Sequence, residues 1–590
     1  MNPSRRSFRP VLLLIAFAAN CLAASPASAQ TDATSERVIE LPPLLVEEPA
    51  KPLRWRYVEF PGIEVLSVVS DGDTKTFLKR YHNQSQILQW ILPSRLQGRS
   101  SVPDEYILFN DNLTRAHSQE VMKTMMSSQR EAARRKLSQE GKEAGEPDFG
   151  RNRSRAPRIK FLPNMRLIDV DTTAVFVVVK DSDNLASDFT FSLDRIVHLL
   201  ASRVPVLPSW FSVGMVGLYQ RADFGDDRVT FRPATWTTPA AVTALQDNPE
   251  PLRTLLPMSE LFSGRPRPGS PEAGFDKLWR AQCALFLRWA IADDNGSRRE
   301  ALWGFIDRLE REPPSEALFE KYFNVGYSDM RDILSDYLVS SVDQKVTLRG
   351  GRVAKPPAIE LRDASPLDIA RIRGDWERIQ INFVRRAFPD VVDKYIEQAR
   401  RTLRKPYDQG ERDPRLLALL GLLECDAGDR AAGLPFLAAA FRGRVERPRV
   451  YYELALSRYL AAAGSMNGAG LSAGQIGEIS APIEASWDMQ PPIPASYAIL
   501  ADAWFRTRET PPDAVCDHLN RAATLFPQVE GLVLRVARLN VKRGDLERAE
   551  SQLRQSLSNA SDPNLQKAIA SELERVTGER AKTASATYPH

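Results

Sequence analysis

The chain has 590 residues, 43% hydrophobic and 26% charged, with a formal net charge of +4. That length supplies two or three domains with real cores, and Gly and Pro are too few for a fibrous or wholly disordered chain. Residues 1–29 hold Arg5, Arg6 and Arg9 and no acid, so without them the net charge is +1, a balance that makes no case for nucleic-acid or membrane-surface binding.

The first 29 residues read as a signal peptide: "MNPSRRSFRP" is basic, "VLLLIAFAA" is apolar, and "ASA" precedes Gln30, with cleavage expected after Ala29. The apolar run is too short for a stable anchor, so no transmembrane span is expected after removal. The paired arginines of "SRRSF" admit twin-arginine export, but Arg9 stands where a hydrophobic residue is usual, and the general secretory route is favoured. The expected location is periplasmic or associated with the cell envelope. Asn20 before Cys21 argues against lipidation. Cys283, Cys425 and Cys516 remain, an odd number with no C-x-x-C, and read as buried free thiols rather than a disulfide framework.

Residues 30–53, with "ELPPLLVEEPAKP", read as an extended leader. "RWRYVEF" and "IEVLSVV" then predict two strands joined by "PG". A helix comes next over "DTKTFLKRYHNQSQILQWIL", with Asp73 as its expected N-cap, and "EYILF" is a third strand. Residues 121–160 are dense in charge and poor in apolar residues, which predicts a flexible, solvated insertion. "TAVFVVVK" is a buried strand. Helices at 191–203 and 209–220 are split by "PVLP", "DRVTF" is a short strand, and three further helices run through "FDKLWRAQCALFLRWAIA", "REALWGFIDRLER" and "SDMRDILSDYLVSS". Pro and basic residues at 344–366 mark a linker between a first domain over 54–343 and a second, helical one.

From 367 to 580 every segment reads as helix, and the chain repeats itself. "LLGLLECDAGDRAAGLPFLAAAF" aligns with "RVARLNVKRGDLERAESQLRQSL", setting Gly421 against Ala537, Gly428 against Gly544 and Gly433 against Ala549. "YAILADAWFRTRETPPDAVCDHLNRAATLFP" gives a third unit, with Ala501 and Trp504 in matching places, and "VYYELALSRYLAAAG" the first half of another. The loop "GSMNGAGLSAGQIGEI" interrupts the array. Small residues at close crossings and a Gly-Asp turn describe helix–turn–helix units that bury their faces by stacking. The pattern resembles tetratricopeptide repeats, which implies a superhelical array; residues 581–590 are expected to be a disordered tail.

The stretch "FSLDRIVHLLASRVPVLPSWFSVGMVGLYQ" has the layout of a zinc-peptidase helix pair. Such a site needs two histidines one turn apart, a glutamate base after the first, a third ligand on the next helix, and an open position for water. Trp210, Ser212, Gly214 and Tyr219 supply the framework of the second helix. Over roughly residues 54–340 the chain resembles the exported peptidase MA-like families, of gluzincin type. That resemblance implies an α+β domain, a small sheet plus helices, ahead of the all-α repeats.

The chemistry departs from the family at every diagnostic place but one. Asp194 stands at the first ligand position, Arg195 at the base and Val213 at the third ligand; only His198 matches. Arg195 accepts no proton and its fixed charge opposes a dication, while valine has no lone pair to give. A general base alone contributes about 10²–10⁴-fold, so a water-activating site is not expected. None of the other four histidines, His82, His117, His518 and His590, has ligand spacing to His198. A lone histidine on an apolar helix reads equally as a hydrogen-bonded structural residue. No Walker loop and no G-x-S-x-G elbow occurs, and Asp71 with Asp73 is only a fragment of a calcium loop.

The residues therefore predict no catalytic residue, no metal and no cofactor, and an exported non-catalytic scaffold that takes a protein or peptide partner through its repeats and the peptidase-like groove. The alternative is a zinc metallopeptidase with substituted ligands, in which Asp194, His198 and an acid near Asp223 converge. A third reading holds the peptidase likeness accidental and leaves a repeat-bearing envelope protein. The oligomeric state has no signal in the sequence.

Overall fold

The computed structural model describes residues 39–40, 53–93, 100–110, 159–160, 164–179, 207–225, 227–234, 236, 255–264, 275–292, 296–309, 312–349, 354–464, 470–527, 529–559 and 562–587. The strands in chain order are β1 (Ile39–Glu40), β2 (Arg56–Phe60), β3 (Ile63–Ser67), β4 (Asp104–Asn110), β5 (Ile159–Lys160), β6 (Asn164–Ile168), β7 (Thr173–Val179), β8 (Ala222–Phe224), β9 (Arg228–Phe231), β10 (Val346–Arg349) and β11 (Arg362–Asp363). The helices of the first half are α1 (Asp71–Ile91), α2 (Ser209–Tyr219), α3 (Met258–Ser263), α4 (Phe275–Ile291), α5 (Ser297–Leu309), α6 (Glu316–Phe323) and α7 (Tyr327–Ser341). Those of the second half are α8 (Pro366–Ala387), α9 (Val392–Asp408), α10 (Pro414–Ala427), α11 (Arg430–Arg442), α12 (Pro448–Gly464), α13 (Ala473–Ala485), α14 (Pro494–Phe505), α15 (Asp513–Leu525), α16 (Glu530–Arg543), α17 (Leu546–Asn559) and α18 (Pro563–Thr587).

A six-stranded sheet, ordered β11-β2-β3-β4-β7-β6, organises the N-terminal part. Its centre, β3-β4-β7, is parallel, and antiparallel partners flank it on both sides. Parallel strands are stable when both faces are covered. Here α1 covers one face, setting Phe77, Leu78 and Tyr81 against Val65, Tyr106 and Val177. The other face is covered by α8, through Ile372, Trp376 and Ile379 against Leu66, Ile107 and Phe176. Arg54, Trp55, Arg56 and Tyr57 alternate across the sheet edge: Trp55 and Tyr57 are buried, while Arg54 and Arg56 reach Asp363.

A second core holds α2 to α7 together around Trp210, Phe211, Phe262, Phe286, Phe305 and Phe319, with the three-stranded sheet β10-β9-β8 beside it. From α8 onward the chain is helical. The helices pair as hairpins, α8/α9, α10/α11, α12/α13, α14/α15 and α16/α17; the first helix of each stacks on the first helix of the next, and α18 closes the series against α16 and α17. The whole is an α+β region followed by a helical array.

Several expectations need correction. The N-cap of α1 is Ser70, not Asp73: the Ser70 hydroxyl accepts from the Asp73 amide at 3.1 Å and donates to its carboxylate at 2.6 Å. Asp73 sits in the first turn, where a carboxylate faces the positive end of the helix dipole. The interval 344–366, expected as a linker, carries β10, which pairs with β9, and β11, which pairs with β2. The first array helix is thus a layer of the N-terminal sheet, because only an apolar helix face can cover the open side of a parallel sheet. In the expected leader, β1 pairs with β5 in parallel. The expected tail is helical as far as Thr587, since nothing breaks the helix before Pro589. Most of the 121–160 insertion, residues 121–158, lies outside the described residues. Among the described residues no helix is long and apolar enough to cross a membrane.

Candidate functional site

Asp194, Arg195 and His198 lie outside the described residues. Val213, at the third ligand position, sits on α2, half-buried against the aromatic core. The rest of the α2 framework is used in packing. The Trp210 ring meets Phe262 and Phe286 edge-on, with centroids 5.1 and 5.7 Å apart. Tyr219 is buried edge-on against Phe231 at 5.7 Å, and burial pushes its phenol up. Gly214 lets α2 touch α4: a Cβ there would lie 2.7 Å from the Cys283 carbonyl oxygen. The Asp223 carboxylate, one of the acids in the region to which the substituted-ligand reading looks, accepts both Arg232 Nε bonds at 3.0 and 3.1 Å on an exposed hairpin. Among the described residues no group of three or more His, Cys, Asp or Glu side chains is arranged to hold a metal ion.

The repeat framework residues have the roles their alignment implies. A Cβ on Gly421 would lie 2.7 Å from Leu437, and one on Gly433 2.7 Å from the Gly421 carbonyl oxygen, so α10 and α11 meet backbone to backbone. Gly428 and Gly544 end α10 and α16 in the left-handed region, at φ 99° and 85°, which a side chain would strain. Ala549 is fully buried where α17 meets α16, and Trp504 is buried near the end of α14.

The densest polar chemistry lies elsewhere, between the sheet and the array. On β3 and β4, Glu64 and Glu105 are parallel-register neighbours on the face that α8 covers. Arg371 of α8 donates to Glu64 at 2.9 and 3.3 Å, Tyr57 donates at 2.5 Å, and Arg415 of α10 adds a bond at 3.2 Å. Burial pushes the Glu64 carboxyl up, but Arg371 outweighs it and holds the group below its ordinary value. Glu105 has no such partner; burial, with the nearby Asp375, pushes it well above the carboxylate range.

A second cluster centres on Arg378, which is fully buried. Its guanidinium donates to Asp375 at 2.7 Å, to Asp426 of α10 at 2.6 Å and to Asp169 of the β6–β7 turn at 2.6 Å. Arg449, at the start of α12, donates to both oxygens of Asp169 at 2.7 and 2.8 Å and also to Asp426. Its backbone N–H donates to Asp171 at 2.8 Å. Arg447 bonds Asp375 at 2.7 Å and lies 3.4 Å from Asp171. Burial pushes Asp169 up, yet Arg449 and Arg378 hold it far below its ordinary value. For Asp171 burial wins over Arg447, and its carboxyl is raised. Four carboxylates thus face three guanidinia in a dry junction, where unpaired charge is costly.

No sequence pattern singles out these residues. The signal present is "RIRGDWERIQ", five charges on a helix that also reads as core, and the "RPR" before α12. No protein-family profile matches the chain, and no curated protein matches it in sequence.

Proposed function

We propose that the protein is an exported, non-catalytic scaffold, a gluzincin-like domain that no longer hydrolyses, bearing tetratricopeptide-like repeats that take a protein or peptide partner. The observation that carries this reading is the mounting of the array. The first helix of the array is also one covering layer of the sheet, so the stacked hairpins project from a fixed base. A pre-set geometry lowers the ordering cost of binding an extended partner. The use of Trp210, Gly214 and Tyr219 in packing, and of Asp223 in an ion pair, supports the loss of hydrolysis.

The test uses the chain from Gln30 onward. Elemental analysis is expected to find no stoichiometric zinc, peptide turnover is expected to be absent with and without chelator, and a pull-down from envelope extract is expected to recover a partner in stoichiometric amount. One zinc per chain, lost in Asp194→Ala together with chelator-sensitive hydrolysis, would replace this reading with the substituted-ligand metallopeptidase.

A further inference from the structure

The first helices of the first three hairpins turn one common side toward the sheet. Arg371, Asp375 and Arg378 of α8, Arg415 and Asp426 of α10, and Arg449 of α12 all lie on it. Arg371 and Arg415 hold Glu64 of β3 there, and Arg378 and Arg449 hold the β6–β7 turn. The turn folds on itself through the Asp169 amide to the Thr172 carbonyl at 2.9 Å. Its side chains alternate. Ile168 and Val170 point out and are 45% and 44% exposed, while Asp169 and Asp171 point in and are 9% or less exposed at the side chain.

The attachment of the turn therefore owes nothing to its apolar side chains. It rests on one guanidinium nitrogen of Arg449, Nη1, shared between both Asp169 oxygens, on a second guanidinium from Arg378, and on the Arg449 amide at the N-terminus of α12. Forked arginines and a helix N-terminus are how proteins hold a carboxylate-bearing segment. Beyond this point Ser101 donates its amide to the Gln490 carbonyl at 2.8 Å, and the Gln490 amide donates to the Ser101 hydroxyl at 2.9 Å.

We propose that the β6–β7 turn is a ligand held in cis: its two aspartates occupy an arginine-lined face shared by α8 and α12, with α10 between them, and close the first three hairpins to outside acidic peptides. Any partner of the array is left the hairpins beyond Gln490. That last consequence rests on the partner-binding reading above; the occupied face does not.

The test takes the chain from Gln30 and a capped, labelled peptide of residues 165–174. In the unsubstituted protein the amides at the start of α12, Arg449 included, are expected to exchange as slowly as those of β4, and the peptide is expected not to bind. Asp171→Asn, and Asp169→Asn with it, are expected to speed exchange there roughly tenfold or more, and to open a saturable site for the peptide that Arg449→Gln abolishes. Val170→Ser, on the outward side, is expected to change neither. Three results overturn the proposal: α12 amides in the unsubstituted protein exchanging as fast as those of α18, the peptide binding the unsubstituted chain as well as the variant, or a loosened, folded variant that takes up no peptide. If the double variant fails to fold, the exchange of the unsubstituted chain and the single Asp171→Asn variant still decide. Neither readout involves metal or partner capture, so a failed pull-down leaves it standing.

Discussion

Replacing Gly214 by alanine separates packing from chemistry at the peptidase-like helix. The new Cβ would stand 2.7 Å from the Cys283 carbonyl oxygen, 2.8 Å from its carbonyl carbon and 2.9 Å from Leu287 Cδ1. Two of these atoms are backbone, so α2 and α4 must part by roughly half an ångström or more to restore ordinary contact. Overpacking of this kind costs about 1–3 kcal/mol. Alanine returns up to ~1 kcal/mol of helix propensity. The net expectation is a loss of ~1–2 kcal/mol. Gly217, one turn on, is the control: its Cβ would meet the Ala284 methyl at 3.1 Å and the Arg280 carbonyl oxygen at an ordinary 3.9 Å, and the propensity gain offsets the small adjustment. A chain with more than one core has no single unfolding midpoint, so the readout is native-state hydrogen exchange in α2 and α4. Gly214→Ala is expected to speed it roughly 5–30-fold, and Gly217→Ala to leave it nearly unchanged. Equal effects from the two variants would refute the assignment of Gly214 to a backbone contact.

Four further outcomes rest on the same kind of contact. Arg378→Met leaves three buried carboxylates short of a partner and is expected to cost about 3–5 kcal/mol, read as faster native-state hydrogen exchange in α8 and α10; Arg378→Lys is expected to recover little, because one ammonium cannot span the three. Asp169, Asp375 and Glu64 have folded carboxyls below their ordinary values, so their stabilisation is complete above about pH 4 and is lost as the pH falls from there; hydrogen-exchange protection of α8 across pH 2–7, corrected for the intrinsic exchange rate, checks it. Glu105 has the opposite sign: its raised folded value costs stability as the pH rises above about 4, so Glu105→Gln is expected to gain on the unsubstituted chain between pH 4 and pH 7. Cys283, Cys425 and Cys516 are buried and burial raises their thiols, Cys425 to about 12, so none is expected to react with a thiol reagent before unfolding; rapid labelling of the native chain contradicts this.

Much of the fold is legible where the pattern is local. The run "TAVFVVVK" announces β7, and the matched Gly-Asp turns announce α10/α11 and α16/α17, because backbone hydrogen bonding and close helix crossings leave a mark within one segment. The alternation of Arg54, Trp55, Arg56 and Tyr57 also reads directly as the two faces of a strand. What does not read is what depends on distant partners. Nothing near Arg378 says that Asp169, 209 residues earlier, will lie within 2.6 Å. The two-residue β11 is too short to carry a period, and its pairing with β2 becomes clear only when α8 is seen against the sheet. The cap of α1 is ambiguous for a related reason: Ser70 and Asp73 both suit a helix start, and their mutual bonds choose between them. The ligand position read as lost on α2 resolves, in Val213, into packing that any apolar residue of that size would supply.

The hairpins form a chain of nearest-neighbour contacts with unequal ends. At one end the sheet is clamped across α8, α10 and α12; at the other, α18 lies against α16 and α17. Tension applied to the C-terminus would peel the molecule from that side, one hairpin after another, each freed unit exposing only the next. The peeling would stall where Arg378 and Arg449 grip Asp169, making that junction the anchor point against mechanical load.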